Sequence, residues 1–124
     1  MANNFDTLLT AAPGSVVTLE PDYIVVNDGV SYLAAVEAKS VANPDKVLVF
    51  FDHNVPTGDP EGARVFGVIR DFAKKFGCRF IQAQGVAYQY MFKEVVLPGQ
   101  VVVGGGSHSA IFGANGALGF NVSP

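Results

Sequence analysis

A chain of 124 residues and 13.1 kDa has the length of one ordinary domain, spanning residues 1–124, and can bury a core without disulfide or metal staples. Charged residues make up 15% and hydrophobic ones 49%, with a mean hydropathy of +0.31; either the interior is rich in Val, Ala and Gly, or part of the surface is covered by another domain or subunit. A net charge of −3, with the eight Lys and Arg scattered apart from Lys74-Lys75, argues against nucleic-acid binding, and no apolar stretch has the length of a membrane span.

In chain order, Phe5 to Ala12 reads as a short helix stopped by Pro13-Gly14. Val16 to Val26 is rich in β-branched residues but interrupted by Pro21. Val30 to Ala42 has helical spacing and ends at Asn43-Pro44. Lys46 to Phe51, KVLVFF, is a continuous apolar run, the pattern of a strand buried on both faces. Asp52 to Asp59 forms a polar loop. Glu61 to Phe76 is the clearest amphipathic helix, ended by Gly77. Arg79 to Gln82 is a short strand, Val86 to Val95 a helix, Pro98-Gly99 a turn and Gln100 to Val103 a strand. After Gly104-Gly105-Gly106, the segment from Ser109 onward reads as a final helix cut short at Pro124. The alternation predicts an α/β fold: three layers, α/β/α, around a mainly parallel sheet. The strands Val47–Phe51, Phe80–Gln82 and Val101–Val103 are expected as parallel neighbours, with the Glu61–Phe76 helix on one face.

Ligands of open α/β sheets sit at the carboxyl ends of the strands. Polar clusters fall at those ends: Asn27-Asp28-Gly29, Asp52-His53-Asn54, Gln82 to Gly85, and Ser107-His108-Ser109. Both histidines of the chain lie in these loops, where they either exchange protons near neutral pH or cap strand and helix ends. The three glycines before Ser107 either form an anion-binding turn or permit a tight connection. Ser107-His108 lacks the surroundings of a serine nucleophile. The single cysteine, Cys78, cannot form an internal disulfide or build a metal site, and no metal site is expected; with no signal-peptide pattern, this points to the cytoplasm.

The string Phe51-Asp52-His53-Asn54-Val55-Pro56-Thr57 resembles the D-H-N-V-P/S motif of the isopropylmalate dehydratase large subunit, in the aconitase family. Gly85-Val86-Ala87-Tyr88-Gln89 is similar to that family's G-I-x-H-Q stretch, and Leu97-Pro98-Gly99 to its L/K-P-G turn. Gly105 to Ser109, followed by Phe112 to Ala117, resembles its D-S-H-T and H-G-A-F-G-A segment; Val26 to Gly29 resembles its H-D-G or H-E strand end. Nearly the whole chain is covered.

The resemblance implies an aconitase-like domain, partial relative to the family, related to hydro-lyases that remove and re-add water on hydroxy di- or tricarboxylic acids. Complete members use a 4Fe–4S iron–sulfur cluster as Lewis acid. By motif position Asp52, His53, Ser107 and His108 are catalytic candidates. Asn27, Asp28, Asn54, Tyr88, Gln89, Gly105 and Gly106 are candidates for contacting a small carboxylic acid. The departures are specific. Gly106 stands at the motif aspartate, and Tyr88, Asn27 and Phe112 stand at motif histidines. The family's cluster cysteines have no counterpart here, so this chain alone is expected to bind no cluster and to be inactive. It is either a truncated or degenerate hydro-lyase, or a non-catalytic binding or assembly module that keeps the fold and a weak carboxylate pocket. A homo-oligomer, or a companion domain carrying the cluster, is the expected partner.

Overall fold

The computed structural model describes residues 4–122. Its elements are α1 (Asn4–Thr10), β1 (Tyr23–Asn27), α2 (Tyr32–Glu37), β2 (Val47–Phe51), α3 (Pro60–Phe76), β3 (Arg79–Gln82), α4 (Ala87–Glu94), β4 (Val101–Gly104) and β5 (Leu118–Asn121). A short 3-10 turn, Pro44–Lys46, leads into β2, and a 3-10 helix, Ser107–Asn115, joins β4 to β5. All five strands run parallel in the order β3-β2-β1-β4-β5.

Side chains alternate across each strand. In β2, Val47, Val49 and Phe51 face α2 and α3, where they pack with Ala35, Ile69, Phe72 and Cys78. Leu48 and Phe50 face the other way, toward Met91 and Tyr88 of α4 and Phe112 of the 3-10 helix. The apolar run is therefore buried along its whole length, as a strand covered on both faces requires. Helix α3 starts where Asp59 accepts the Gly62 N–H at 2.8 Å and Pro60 occupies the first turn. It stops at Gly77, whose φ of 74° is left-handed.

Three sequence expectations need correction. The segment after Ser109 is a 3-10 helix followed by β5, not an α-helix. Gly119 packs so close to the Ser109 carbonyl that no Cβ fits there, and a glycine in a four-residue strand hides its β character. Past the Pro21 interruption, β1 runs over Tyr23–Asn27. Helix α2 covers only Tyr32–Glu37 of the expected Val30–Ala42. Finally, β4 is parallel to β2 and β3 but does not adjoin them, because β1 lies between: after β3 the chain crosses back over the sheet and pairs β4 with the free side of β1.

Among the described residues no helix is long and apolar enough to cross a membrane. Several large apolar side chains are exposed, including Val30, Leu33 and Val36 around α2, and Phe120 and Val122 at the β5 edge.

Phe112 is wholly buried, whereas Phe120 is 41% exposed. Phe112→Ala is expected to cost about 3–5 kcal/mol and Phe120→Ala under about 1 kcal/mol, measured by urea denaturation.

Candidate functional site

The strand order reverses direction between β1 and β4. In sheets of this kind the crevice outside the strand ends at that point is where ligands bind. Three loops meet there: Asn27-Asp28 after β1, Asp52-His53 after β2, and Gly105 to His108 after β4.

Asp28 organises the first two. Its side chain is completely buried. Its Oδ1 accepts the Asp52 N–H at 2.9 Å and the His53 N–H at 3.1 Å; its Oδ2 lies 3.1 Å from the same His53 N–H and accepts the Asn54 N–H at 3.2 Å. Backbone donors leaving a parallel strand have lost their sheet partners, and a buried donor left unpaired is costly. Asp28 satisfies a run of them. Burial opposes its charge, yet the Asp52 and His53 N–H groups and the His53 ring outweigh it, so Asp28 titrates below the ordinary aspartate range.

Asp52 is nearly as buried, with 2% of its side chain exposed. Its Oδ2 accepts the Ala87 N–H at 2.6 Å, so it caps α4, whose own N-cap residue, Val86, has no side-chain acceptor. Burial pushes the Asp52 carboxyl up; the Ala87 N–H opposes this, and the neighbouring Asp28 carboxylate adds to it. The two carboxylates are thus driven apart in acidity, one ionised and one more readily protonated, the usual arrangement for dividing proton work.

His53 lies between them, its Nδ1 3.0 Å from Oδ1 of each. A ring nitrogen facing two carboxylate oxygens carries the proton. Nε2 is therefore the free atom, on a ring that is half exposed and lines the cleft. Partial burial lowers the His53 pKa, but the Asp28 hydrogen bond and the charges of Asp52 and Asp28 prevail and raise it above the ordinary value.

The β4 side is built differently. Tyr88, at the start of α4, packs its ring 5.9 Å from His108 and 6.1 Å from Phe112. A Cβ on Gly106 would collide with the Tyr88 hydroxyl, one on Gly105 with Ser31, and one on Gly104 with Ser109. The Gly105 N–H is spent on the Val25 carbonyl. The glycines therefore serve close packing, and the anion-binding turn lacks support. The one polar side chain at the His108 ring among the described residues is Ser107, at 3.4 Å from Nδ1; no carboxylate among them pins it as Asp28 and Asp52 pin His53.

Two adjoining clefts, of about 430 and 490 Å³, share His53, Tyr88 and His108. Asn27, Gly105, Gly106 and Ser107 line one; Asp52 and Gln89 line the other, with Val86 and Ile111 on its rim. Of the candidates from sequence, only Asp28 and Asn54 line neither; Asp28 lies beneath the cleft, and Asn54 contributes its backbone N–H to Asp28. Two residues were not among the site candidates, though Ser109 stood in one of the polar clusters. Buried Ser31 donates to the Asn27 Oδ1 and accepts the Asn27 N–H, both at 2.8 Å. Buried Ser109 donates to the Gly106 carbonyl at 2.9 Å and holds the 3-10 turn. The Asn-x-x-x-Ser spacing was the available signal for the first.

Asp28, Asp52 and His53 are the one group among the described residues whose ligand atoms could surround a metal ion. Most of their lone pairs are already engaged by backbone N–H groups and by each other. An iron–sulfur cluster does not fit either: the sole thiol, Cys78, is buried against Ile69 and Phe72 on the α3 face, and the cleft offers oxygen and nitrogen donors only.

Residues 9–123 match the family model described as the aconitase family (aconitate hydratase). The methanogen homoaconitase large subunit of Methanocaldococcus jannaschii is 36% identical over 111 residues, 85% of this chain and 26% of that protein. The 3-isopropylmalate dehydratase large subunit 2 of Methanopyrus kandleri is 34% identical over 114 residues, 86% of this chain and 28% of that protein. The homoaconitase large subunit of Thermus thermophilus is 35% identical over 112 residues, 86% and 27% respectively. The chain thus spans about a quarter of the length of these relatives.

Two outcomes follow from this geometry. Asp28→Asn is expected to cost about 3 kcal/mol and to lower the His53 pKa. The raised His53 pKa contributes stability fully present below about pH 6.5 and lost as pH rises through its folded value; the lowered Asp28 pKa contributes stability present above about pH 3.9 and lost as pH falls through its folded value. The gap between wild type and Asp28→Asn should therefore be wider at about pH 5.5 than at about pH 8.5, as urea denaturation and histidine NMR would register. Separately, Gly106 has φ −119°, which alanine tolerates, so a cost of about 1–3 kcal/mol for Gly106→Ala would come from Tyr88. In a Tyr88→Phe background the cost should shrink, a coupling measured by a double-mutant cycle.

Proposed function

The chain belongs to the aconitase family, and on that premise we propose that it forms the acid-binding, proton-handling part of a hydro-lyase site, able to hold a small hydroxy acid but not to turn it over alone. One observation carries the reading. His53 is pinned through Nδ1 by Asp28 and Asp52, with its other nitrogen free on a ring that lines the cleft. A histidine whose cationic form is favoured can bind a carboxylate, and when neutral it can accept a proton. Asp52 and His53 are the proton carriers in this proposal; Ser107 and His108 are ligand contacts.

Inactivity of the isolated chain is supported by three features. His108 lacks a carboxylate partner. Tyr88, at a motif histidine, is no acid or base near neutral pH, and burial raises its phenol further above its ordinary value. The cleft supplies no thiolate for a cluster. A complete hydro-lyase would need a companion segment bearing that cluster, consistent with relatives about four times as long and with Val86 and Ile111 exposed at the cleft rim. The single cysteine fits a cytoplasmic setting. The second reading, a non-catalytic binding module, is favoured by the Gly106–Tyr88 packing, which leaves no room for a carboxylate at position 106.

The test is a titration of the chain with malate, followed by histidine chemical shifts, beside an assay for hydration or dehydration. Binding should strengthen as pH falls from about 7.5 to about 5.5, and His53→Ala should weaken it by roughly 1.5–3 kcal/mol. No turnover is expected. Unmoved histidine resonances at millimolar malate at either pH would refute the binding role; turnover by the chain alone would refute its inactivity.

A further inference from the structure

The two edges of the sheet are built differently. Strand β3, Arg79-Phe80-Ile81-Gln82, exposes Arg79 and Gln82, and a charged residue on an edge discourages pairing with another chain. Strand β5, Leu118-Gly119-Phe120-Asn121, has no such guard. No Asp, Glu, Lys or Arg occurs after Glu94, so the whole stretch that supplies β4 and β5 is uncharged.

The backbone of β5 is half used. The Leu118 and Val122 N–H groups donate to the Gln100 and Gly104 carbonyls, on the β4 side. Successive residues of a strand direct their N–H and C=O groups to opposite sides, so Gly119 and Asn121 direct theirs outward, away from the sheet. Gly119 faces Ser109 and Phe112, so Leu118, Phe120 and Val122 face the opposite way. That is the side on which α2 and α3 cover β1, β2 and β3. Beside β4 and β5 it stays open: an apolar cavity of about 210 Å³, lined by Ile24, Ala34, Val103 and Val122, lies there, and Phe120 and Val122 are 41% and 54% exposed. A parallel sheet ordinarily has both faces covered.

We propose that the β5 edge joins two copies of this chain, strand to strand and antiparallel, about a twofold axis at Phe120. Identical edges related by a twofold axis normal to the sheet present the same patch to each other and pair antiparallel. With Phe120 opposite Phe120 of the second copy, Gly119 stands opposite Asn121. Each such pair exchanges both of its N–H···O=C bonds, so the outward groups of both residues are satisfied. Leu118 meets Val122 on the open apolar face, and the two phenyl rings meet at the axis, a stabilising cross-strand pair. Charge identifies the occupant as a second copy. Two copies of a chain of net charge −3 repel least through the side that carries no charge, and that is the side of β4 and β5. Four residues on each side make a small interface, so dimer and monomer exchange at micromolar concentration.

Sedimentation equilibrium of the full chain, from low to high micromolar concentration, measures the association, and amide hydrogen exchange at both ends of that range locates it. A monomer–dimer equilibrium is expected, with the Gly119 and Asn121 amides exchanging roughly tenfold more slowly in the concentrated sample. Phe120→Lys sets two like charges together at the axis and should raise the dissociation constant roughly a hundredfold. Leu9→Lys, at an exposed apolar residue of α1, should leave it unchanged. A wild type that stays monomeric at high micromolar concentration overturns the proposal and leaves the open face to a companion segment. So does a dimer whose Gly119 and Asn121 amides exchange as fast as in the dilute sample, or one that Phe120→Lys leaves intact. If Phe120→Lys does not fold, the exchange comparison on the wild type decides alone.

Discussion

The site depends on one buried carboxylate. Asp28 gathers the backbone N–H groups of Asp52, His53 and Asn54, tying the end of β1 to the loop leaving β2. Without it those part-buried donors would lose the acceptor that ties the loop to β1. The arrangement then extends outward: Asp52, held in place, caps α4 through the Ala87 N–H, and α4 sets Tyr88 against the β4 loop. A structural need, satisfying backbone groups at a strand end, is also what orders the imidazole.

How far the sequence revealed this follows the physics of each part. The buried run Val47–Phe51 and the amphipathic helix Pro60–Phe76 were legible because burial on one or two faces imposes a composition. The C-terminal end of α3 was legible through Gly77, while the Asp59 cap and Pro60 at its start went unread. Strand β5 was hidden because its half-exposed LGFN pattern and Gly119 carry no period. The adjacency of β4 to β1 was hidden because parallel strands are joined by long crossovers, and local sequence does not record which neighbour they reach. Asp52 and His53 could be located at a strand end, but the decisive contact, Asp28 to Nδ1, joins residues 25 positions apart.

The departures from the family motifs are easier to understand in space than along the chain. Gly106 and Tyr88 sit in different loops yet occupy one volume: the hydroxyl stands where a side chain at 106 would begin. A side chain at 106 would collide with that hydroxyl. Phe112, at a motif histidine, is wholly buried in the core under α4, where an imidazole would need a partner that the apolar cluster does not offer. Tyr88, Gly106 and Phe112 thus pack as one unit on the β4 side.

The cleft is asymmetric. On the β2 side, Asp28 and Asp52 are shifted in opposite directions and the imidazole is pinned between them. On the β4 side, His108 has a serine and an aromatic ring for company. An unpinned histidine can bind an anion when charged, but its tautomer and orientation are not imposed, and general acid–base catalysis depends on both. Binding tolerates such looseness far better than catalysis does, because a proton transfer fails when its donor is misplaced by an ångström.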